Sequence, residues 1–203
     1  MPTSLTRYIY IGLFVIAGIA IVYALMSATG RRAEGQRLDR FAVDEMSKLD
    51  FSQAGRQAPA DGFAGPDGAP ASLADFEGRT VLVNFWATWC APCEREMPHL
   101  GALQTARGGE RFEVIAISVD EAGDEGYARR RLDELTGGVL DFYQAPPSDW
   151  DVVYGAGASG FPTTVIYDRE GREVARLAGE APWSDSLALA FVDEVIAQAS
   201  GAP

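Results

Sequence analysis

The sequence is poor in the residues that bind metals and haem. Its 203 residues include two cysteines, Cys90 and Cys93, and one histidine, His99. A structural zinc site usually needs about four such ligands, which argues against zinc. Covalent haem attachment of the c type needs a histidine directly after the second cysteine, and this chain has Glu94 there. We therefore expect no metal site and no resident cofactor, and we expect His99 to be an ordinary solvated histidine.

Basic residues are also scarce relative to acidic ones. The chain has 17 lysines and arginines against 29 aspartates and glutamates, which gives a formal net charge of −12 at pH 7. Nucleic acids and anionic lipid surfaces are bound through basic patches, so this balance argues against either partner. A solubilising acidic exterior is enough to explain most of the charge.

Charged residues are missing altogether from residues 8–26, which read YIYIGLFVIAGIAIVYALM. A helix of this length, rising about 1.5 Å per residue, just crosses a hydrocarbon core of about 30 Å. We predict a transmembrane signal anchor within residues 1–30. A cleaved signal peptide is the alternative, although its apolar part is usually about 7 to 15 residues long. Because no cysteine follows the apolar run, a lipoprotein anchor is excluded.

The two cysteines form the motif Trp89-Cys90-Ala91-Pro92-Cys93, which joins the apolar run at residues 81–86 to a helix-like segment. A helix N-terminus carries partial positive charge, which stabilises a thiolate on the first cysteine. Cys90 is therefore the predicted nucleophile, and Cys93 is placed to attack a mixed disulfide formed on Cys90. A purely structural disulfide is the alternative, but so short a loop gains little chain entropy.

Apolar periodicity predicts an α/β domain over residues 62–203. Before it, the sequence predicts an amphipathic helix at residues 38–49 and then a linker, so that residues 31–61 form a separate segment. The turn signature at residues 65–68 predicts a hairpin with Leu73 and Phe76 on its second arm. Further strands are predicted at residues 81–85, 112–119, 139–142, 163–167 and 172–178. Besides the helix that starts at Cys90, helices are predicted at residues 124–136, 148–154 and 184–199, and Ser148 is the predicted cap of the second of these three.

Three separate motifs resemble one known family. They are NFWATWCAPC at residues 84–93, Glu96-Met97-Pro98, and GFPTT at residues 160–164 with DREG at residues 168–171. In this order and spacing they resemble the membrane-anchored thiol-disulfide reductases of the TlpA/ResA group. The resemblance covers residues 62–203. It implies a thioredoxin-like three-layer fold with a central mixed sheet, an N-terminal hairpin and an inserted helix and strand at residues 124–142, preceded by one transmembrane helix.

The resemblance also implies roles for single residues. Ordinary thioredoxins bury an acid where this chain has Asn84, and an amide cannot act as a base. Glu96 is the implied proton acceptor, with an ordinary solvated glutamate as the alternative. Pro162 is implied to follow a cis peptide bond, whereas its local sequence alone favours an ordinary trans bond.

Client contacts are expected from the residues around the cysteines. Trp89, Pro92, Phe161 and Pro162 are predicted to contact client proteins, whereas Trp86 is expected in the core.

The combined prediction is a membrane-anchored thiol-disulfide oxidoreductase that reduces disulfides of exported proteins. The resemblance implies apocytochrome c or copper-site assembly proteins as clients, and a membrane electron donor that re-reduces the dithiol. It also favours a single pass in the bacterial inner membrane with a periplasmic domain. The arginines that follow the apolar run conflict with this orientation. Three alternatives stay open: an exported dithiol oxidant, a peroxide-reducing thiol enzyme, and a Cu(I)-binding chaperone module.

Overall fold

The computed structural model describes Tyr10, residues 13–23 and residues 38–200 of the chain. Residues 13–23 are helical, and their side chains are exposed. Within these described ranges, no helix combines the length and the apolar character that a membrane span requires. The anchor predicted at residues 8–26 lies partly outside the described residues.

An eight-stranded mixed sheet forms the centre of the domain. Its strands are β1 (Leu49–Asp50), β2 (Phe63–Ala64), β3 (Pro70–Ala71), β4 (Thr80–Trp86), β5 (Phe112–Ser118), β6 (Phe142–Gln144), β7 (Thr163–Tyr167) and β8 (Glu173–Ala178). Their spatial order is β1-β8-β7-β4-β5-β6-β2-β3. β4 runs parallel to β5 and antiparallel to β7. Every residue of β4 is buried, as its continuous apolar sequence predicted.

Within residues 38–200, four helices accompany the sheet: α1 (Ala91–Arg107), α2 (Glu125–Thr136), α3 (Asp151–Gly155) and α4 (Ser186–Ser200). α1 packs against β5 and α2, and α4 packs against β4. A glycine lets α1 and α2 approach closely, because a Cβ at Gly101 would lie 3.0 Å from the carbonyl oxygen of Thr136. The predicted α/β architecture with a mixed central sheet is confirmed.

The amphipathic helix predicted at residues 38–49 is wrong. This segment forms two 3-10 turns, Asp39–Phe41 and Asp44–Met46, followed by strand β1. Asp44 has a φ of 49°, which a continuing α-helix does not permit. Leu38, Phe41, Met46 and Leu49 are nevertheless buried, and the ring centroid of Phe41 lies 5.6 Å from that of Phe191 in α4. This segment belongs to the compact unit that begins at Leu38.

The predicted hairpin forms, but its second arm is shorter than expected. β2 and β3 pair around the predicted turn, in which the Gly65 N–H donates to the Ala69 carbonyl at 2.7 Å. Leu73 and Phe76 lie in a following 3-10 turn and not on the second arm. The reason is local, since the Asp75 carboxylate accepts a hydrogen bond from the Ser72 N–H at 2.7 Å and turns the chain away.

The predicted helix and strand between β5 and α3 are both present, as α2 and β6. The strand begins three residues later than residues 139–142 predicted, because Gly137 and Gly138 adopt left-handed conformations that delay it. In the observed register, Phe142 pairs with Ala116 of β5. The ring of Tyr143 contacts that of Phe63 at 5.7 Å and so joins the insert to the hairpin.

Two helix starts also differ from the prediction. Ser148 does not cap α3, because Pro147–Asp149 forms a separate 3-10 turn and α3 starts at Asp151. The last helix starts at Ser186 and not at residue 184, because the chain makes a turn first, with the Asp185 N–H donating to the Pro182 carbonyl at 2.9 Å.

Candidate active site

Cys90 and Cys93 form a disulfide at the N-terminus of α1, with 5.2 Å between their Cα atoms. Cys90 is the N-cap residue, and its sulfur accepts a hydrogen bond from the Cys93 N–H at 3.3 Å. Pro92 lies in the first turn, where a helix needs no N–H donor, and its side chain is half-buried. Cys90 is 7% exposed and Cys93 is 0% exposed. Of the two residues, Cys90 is thus the one that a second molecule can reach.

A buried aspartate holds the loop that leads into Cys90. Asp120 follows β5 and accepts hydrogen bonds from the Thr88 N–H at 3.1 Å and the Thr88 hydroxyl at 2.7 Å. The Ser118 hydroxyl donates to the same carboxylate at 2.8 Å. The sequence had indicated no role for Asp120. Its place directly after a buried strand beside β4 is the signal that points to it.

Glu96 lies one turn beyond Cys93 on α1 and is buried. One carboxylate oxygen accepts hydrogen bonds from Trp183 Nε1 at 2.7 Å and from the Ala181 N–H at 3.1 Å. The other accepts one from Asn84 Nδ2 at 2.9 Å. Burial raises the pKa of Glu96 to about 7, against the opposing effect of these three hydrogen bonds. Glu96 is therefore not an ordinary solvated glutamate.

Asn84 connects this carboxylate to the next strand of the sheet. Its Nδ2 donates both to Glu96 and, at 2.9 Å, to Thr164 Oγ1 on β7. Its side-chain carbonyl oxygen is buried and has no hydrogen-bond partner among the residues that the structure describes. The residue that replaces the buried acid of ordinary thioredoxins is thus a neutral donor to Glu96.

The Phe161–Pro162 peptide bond is cis, as the resemblance implied and against the trans form that the local sequence favoured. Pro162 is buried and Phe161 is half-buried. The ring of Phe161 lies edge-to-face on that of Trp89 with centroids 5.8 Å apart, and Trp89 is 65% exposed. The structure therefore brings Trp89 and the Phe161–Pro162 segment together next to Cys90. Trp86 is fully buried, as predicted.

A second glutamate of α1 faces the inserted helix. Glu94 accepts two hydrogen bonds from the guanidinium of Arg131 in α2, at 2.7 and 3.0 Å. Hydrogen bonding to Arg131 holds the pKa of Glu94 below its usual range. The insert is thereby bonded to the first turn of α1, immediately after Cys93.

The segment before α4 is bonded to α1 at several points. Glu180 pairs with Arg95, Trp183 donates to Glu96, and Ser184 Oγ lies 2.6 Å from Nδ1 of His99. His99 is half-buried and its ring contacts Ser184, so it is less solvated than predicted. The sequence did not identify Trp183 as a neighbour of the site. A single tryptophan 87 residues from Glu96 gives no pattern that could have indicated it.

The arrangement combines a reachable sulfur, a buried sulfur and a buried carboxyl whose pKa lies near neutrality. Thiol–disulfide exchange proceeds through attack by a thiolate, and a carboxyl with such a pKa is suited to take up the proton that a thiol loses. Within the described ranges, no group of three or more His, Cys, Asp and Glu side chains could hold a metal ion.

Comparison with known proteins identifies the family. The sequence profile of the Redoxin family matches residues 53–190. The thiol-disulfide oxidoreductase ResA of Bacillus anthracis is 31% identical over 128 residues, which cover 63% of this chain and 71% of that protein. The thioredoxin-like protein YneN of Bacillus subtilis is 35% identical over 122 residues, which cover 59% of this chain and 68% of that protein.

Solved structures agree with this assignment. A thiol:disulfide interchange protein from Bacteroides sp. has a TM-score of 0.59 and 27% identity, and the match covers 71% of this chain and 90% of that one. A thioredoxin-family thiol:disulfide interchange protein from Chlorobium tepidum has a TM-score of 0.54 and 27% identity, covering 72% and 98%. The chain therefore belongs to the Redoxin family, as a TlpA/ResA-like thiol-disulfide oxidoreductase with a thioredoxin fold.

Proposed function

We propose that this oxidoreductase is a membrane-anchored reductant of disulfides in exported proteins. The observation that carries the proposal is that a slightly exposed cysteine, a buried cysteine and the buried carboxyl of Glu96 lie within the first two turns of one helix. In the reduced form, the Cys90 thiolate attacks one sulfur of a client disulfide and releases the other as a thiolate. Cys93 then attacks Cys90, the Cys90–Cys93 disulfide forms, and the client leaves fully reduced. Two electrons pass from the cysteine pair to the client.

Glu96 accepts the proton that Cys93 must lose before it can attack. Residues three apart on a helix are neighbours, with about 5–6 Å between their Cβ atoms. Cys93 is buried, so its proton needs an internal acceptor. A carboxyl whose pKa is about 7 exchanges protons readily near neutral pH. Asn84 and Trp183 orient that carboxyl through their hydrogen bonds.

The client contacts the surface around Cys90. The exposed ring of Trp89 and the half-buried Phe161 supply apolar surface there. Pro92 and Pro162 complete the contact region, as the family resemblance implies. These residues act on the client chain, and the sulfur chemistry stays with the cysteines.

The domain is carried on the periplasmic side of the bacterial inner membrane by a single-pass anchor in residues 1–30. The uncharged run at residues 8–26 supports the anchor. The family resemblance supports apocytochrome c or copper-site assembly proteins as clients, and a membrane electron donor that returns the pair to the dithiol.

Labelling tests the orientation of the domain in the membrane. In intact spheroplasts, an impermeant thiol reagent added outside is expected to modify the reduced domain. Modification only after lysis would contradict it.

Trapping tests the exchange mechanism. With Cys93→Ser, the mixed disulfide on Cys90 cannot be resolved, so client proteins accumulate on the full chain and are released by a thiol reductant. The double variant Cys90→Ser/Cys93→Ser is the matched control and traps nothing. If no mixed disulfide forms while Cys90 stays reduced, the exchange mechanism is wrong.

A redox titration tests the direction of electron flow. We expect a potential well below the range of about −180 to −120 mV that is typical of disulfide-forming oxidants. A potential within that range would identify an oxidant instead.

A further inference from the structure

A row of four aromatic rings begins beside Cys90 and leads away from the cysteines. Trp89 lies edge-to-face on Phe161, Phe161 on Trp150, and Trp150 on Tyr154, with centroids 5.8, 5.8 and 5.9 Å apart. We call these four residues the aromatic row. Only its first two members belong to the contact region described above, since Trp150 is the N-cap residue of α3 and Tyr154 lies within that helix.

The row is exposed at both ends and anchored in the middle. Trp89 and Tyr154 are each 65% exposed, whereas Phe161 and Trp150 are half-buried. Contiguous exposed aromatic surface on a soluble domain commonly marks a binding surface. The three centroid separations allow the row to span at most about 17.5 Å, the length of roughly five residues of extended chain.

Two acidic residues are the sequence neighbours of Trp150. They are Asp149 and Asp151, and both are exposed. Neither forms an ion pair with any residue that the structure describes. Arg56 and Arg176 are engaged with carbonyl oxygens at the end of α3. The two carboxylates are thus left to attract a cation on a partner.

We propose that the aromatic row binds an extended client segment that carries a large apolar side chain and a lysine or arginine next to its disulfide cysteine. The inference rests on the proposed function and adds the client class. A client cysteine must reach Cys90, so the chain that flanks it passes Trp89 and continues along the row. The rings offer apolar contact and cation–π attraction, and Asp149 and Asp151 attract the basic side chain.

Two synthetic peptides, each with one intramolecular disulfide, test this proposal against the reduced full chain. One peptide flanks its disulfide with phenylalanine and arginine, and the other with serine and glutamate. The uncharged 2-hydroxyethyl disulfide serves as a small substrate without flanking chain. We expect the rate constant for reduction of the first peptide to be at least about 10-fold larger than that of the second.

Substitutions in the row then test which residues produce this preference. Tyr154→Ala removes an exposed ring with little risk to folding, and Trp150→Leu removes a central one. Each is expected to lower the preference to about threefold or less. Asp149→Asn combined with Asp151→Asn is expected to weaken the preference for arginine and its dependence on salt. The control is Tyr127→Ala, which removes an exposed ring from α2, outside the row, and should leave the preference unchanged.

A preference that survives both ring substitutions would overturn the proposal. So would an equal loss of rate on both peptides and on 2-hydroxyethyl disulfide, because the rings would then act on the cysteines and not on the client. A wild-type chain that reduces none of the three disulfides would contradict the proposed function itself, and this inference with it.

Discussion

Two glutamates of α1 meet opposite surroundings although only Arg95 separates them in sequence. Glu94 lies against α2 and is paired with Arg131, which holds its pKa below the usual range. Glu96 is buried among neutral donors, and burial raises its pKa to about 7. The comparison shows that a cation keeps a carboxyl ionised, whereas neutral donors do not fully offset its burial. Only the second glutamate can exchange a proton near neutral pH.

Asn84 is the residue that makes this difference possible. A basic side chain at this position would hold Glu96 ionised, as Arg131 does for Glu94. An amide donates one hydrogen bond to Glu96 and adds no charge.

Replacing Asn84 by aspartate should have the largest effect on stability, because it changes the surroundings of Glu96 from neutral to charged. Asn84→Asp places two carboxyls in one buried site, where both cannot be ionised, so their pKa values in the folded state rise. We expect the free energy of unfolding to fall by about 3 kcal/mol at about pH 8, and by less at about pH 5, where both are protonated more readily. Urea denaturation at both pH values measures this. Asn84→Ala is the uncharged control, and a deficit that is equal at the two pH values would contradict the interpretation.

Removing the carboxyl of Glu96 should slow resolution of the mixed disulfide. With Glu96→Gln, we expect the attack of Cys93 on Cys90 to slow by about 100-fold, the usual contribution of a positioned base. In the wild-type chain this rate should rise as the pH rises through about 7, where Glu96 loses its proton, and the variant should lose that step. Acid quenching of single-turnover reactions at successive times measures how fast the mixed disulfide on Cys90 disappears. Glu94→Gln is the matched control, and equal slowing by both substitutions would refute a separate role for Glu96.

These expectations depend on features that the sequence revealed only in part. Continuous apolar runs correctly placed β4 and β5, because strands buried on both faces leave that signature. The motif located the cysteines. The burial of Glu96 could not be read from the sequence, since Glu94-Arg95-Glu96 looks like a solvated helix surface and the donor Trp183 lies 87 residues away.

The failure at residues 38–49 has a related cause. Apolar residues at helical spacing can be buried equally well by separate turns, and here Asp44 interrupts the helix with a positive φ. The spacing of apolar residues indicates which side chains are buried, but it does not determine the backbone conformation that buries them.

The stability of the wild-type chain should show the raised pKa of Glu96 as a dependence on pH. The carboxyl has an ordinary value of 4.5 and a folded-state value of about 7, so the folded chain holds an extra proton between these pH values. The free energy of unfolding should therefore fall by about 2 kcal/mol as the pH rises from about 4.5 to about 7. Urea denaturation of the wild type and Glu96→Gln gives this change, which the variant should lack. An identical pH dependence in both would be inconsistent with the raised pKa.

The smallest effect on stability is expected from the Glu94–Arg131 pair, on the side of α1 that faces α2. Arg131→Gln removes the partner of Glu94, whose pKa should return toward its ordinary value. Because that pKa is lowered in the folded chain, the pair stabilises at neutral pH, and its contribution disappears as the pH falls below about 4. A double-mutant cycle with Glu94→Gln measures the coupling. Coupling that persists in acid would show that the pair does not act through its charges.

Direct titration of Glu94 and Glu96 tests whether their pKa values are shifted in opposite directions from the ordinary value. Carbon-13 NMR of the oxidised full chain, labelled at the glutamate side-chain carboxyls, follows each titration, with Glu94→Gln and Glu96→Gln assigning the two resonances. We expect a midpoint near 7 for Glu96 and one below the ordinary value of 4.5 for Glu94. Midpoints for both residues at or below that ordinary value would contradict this expectation.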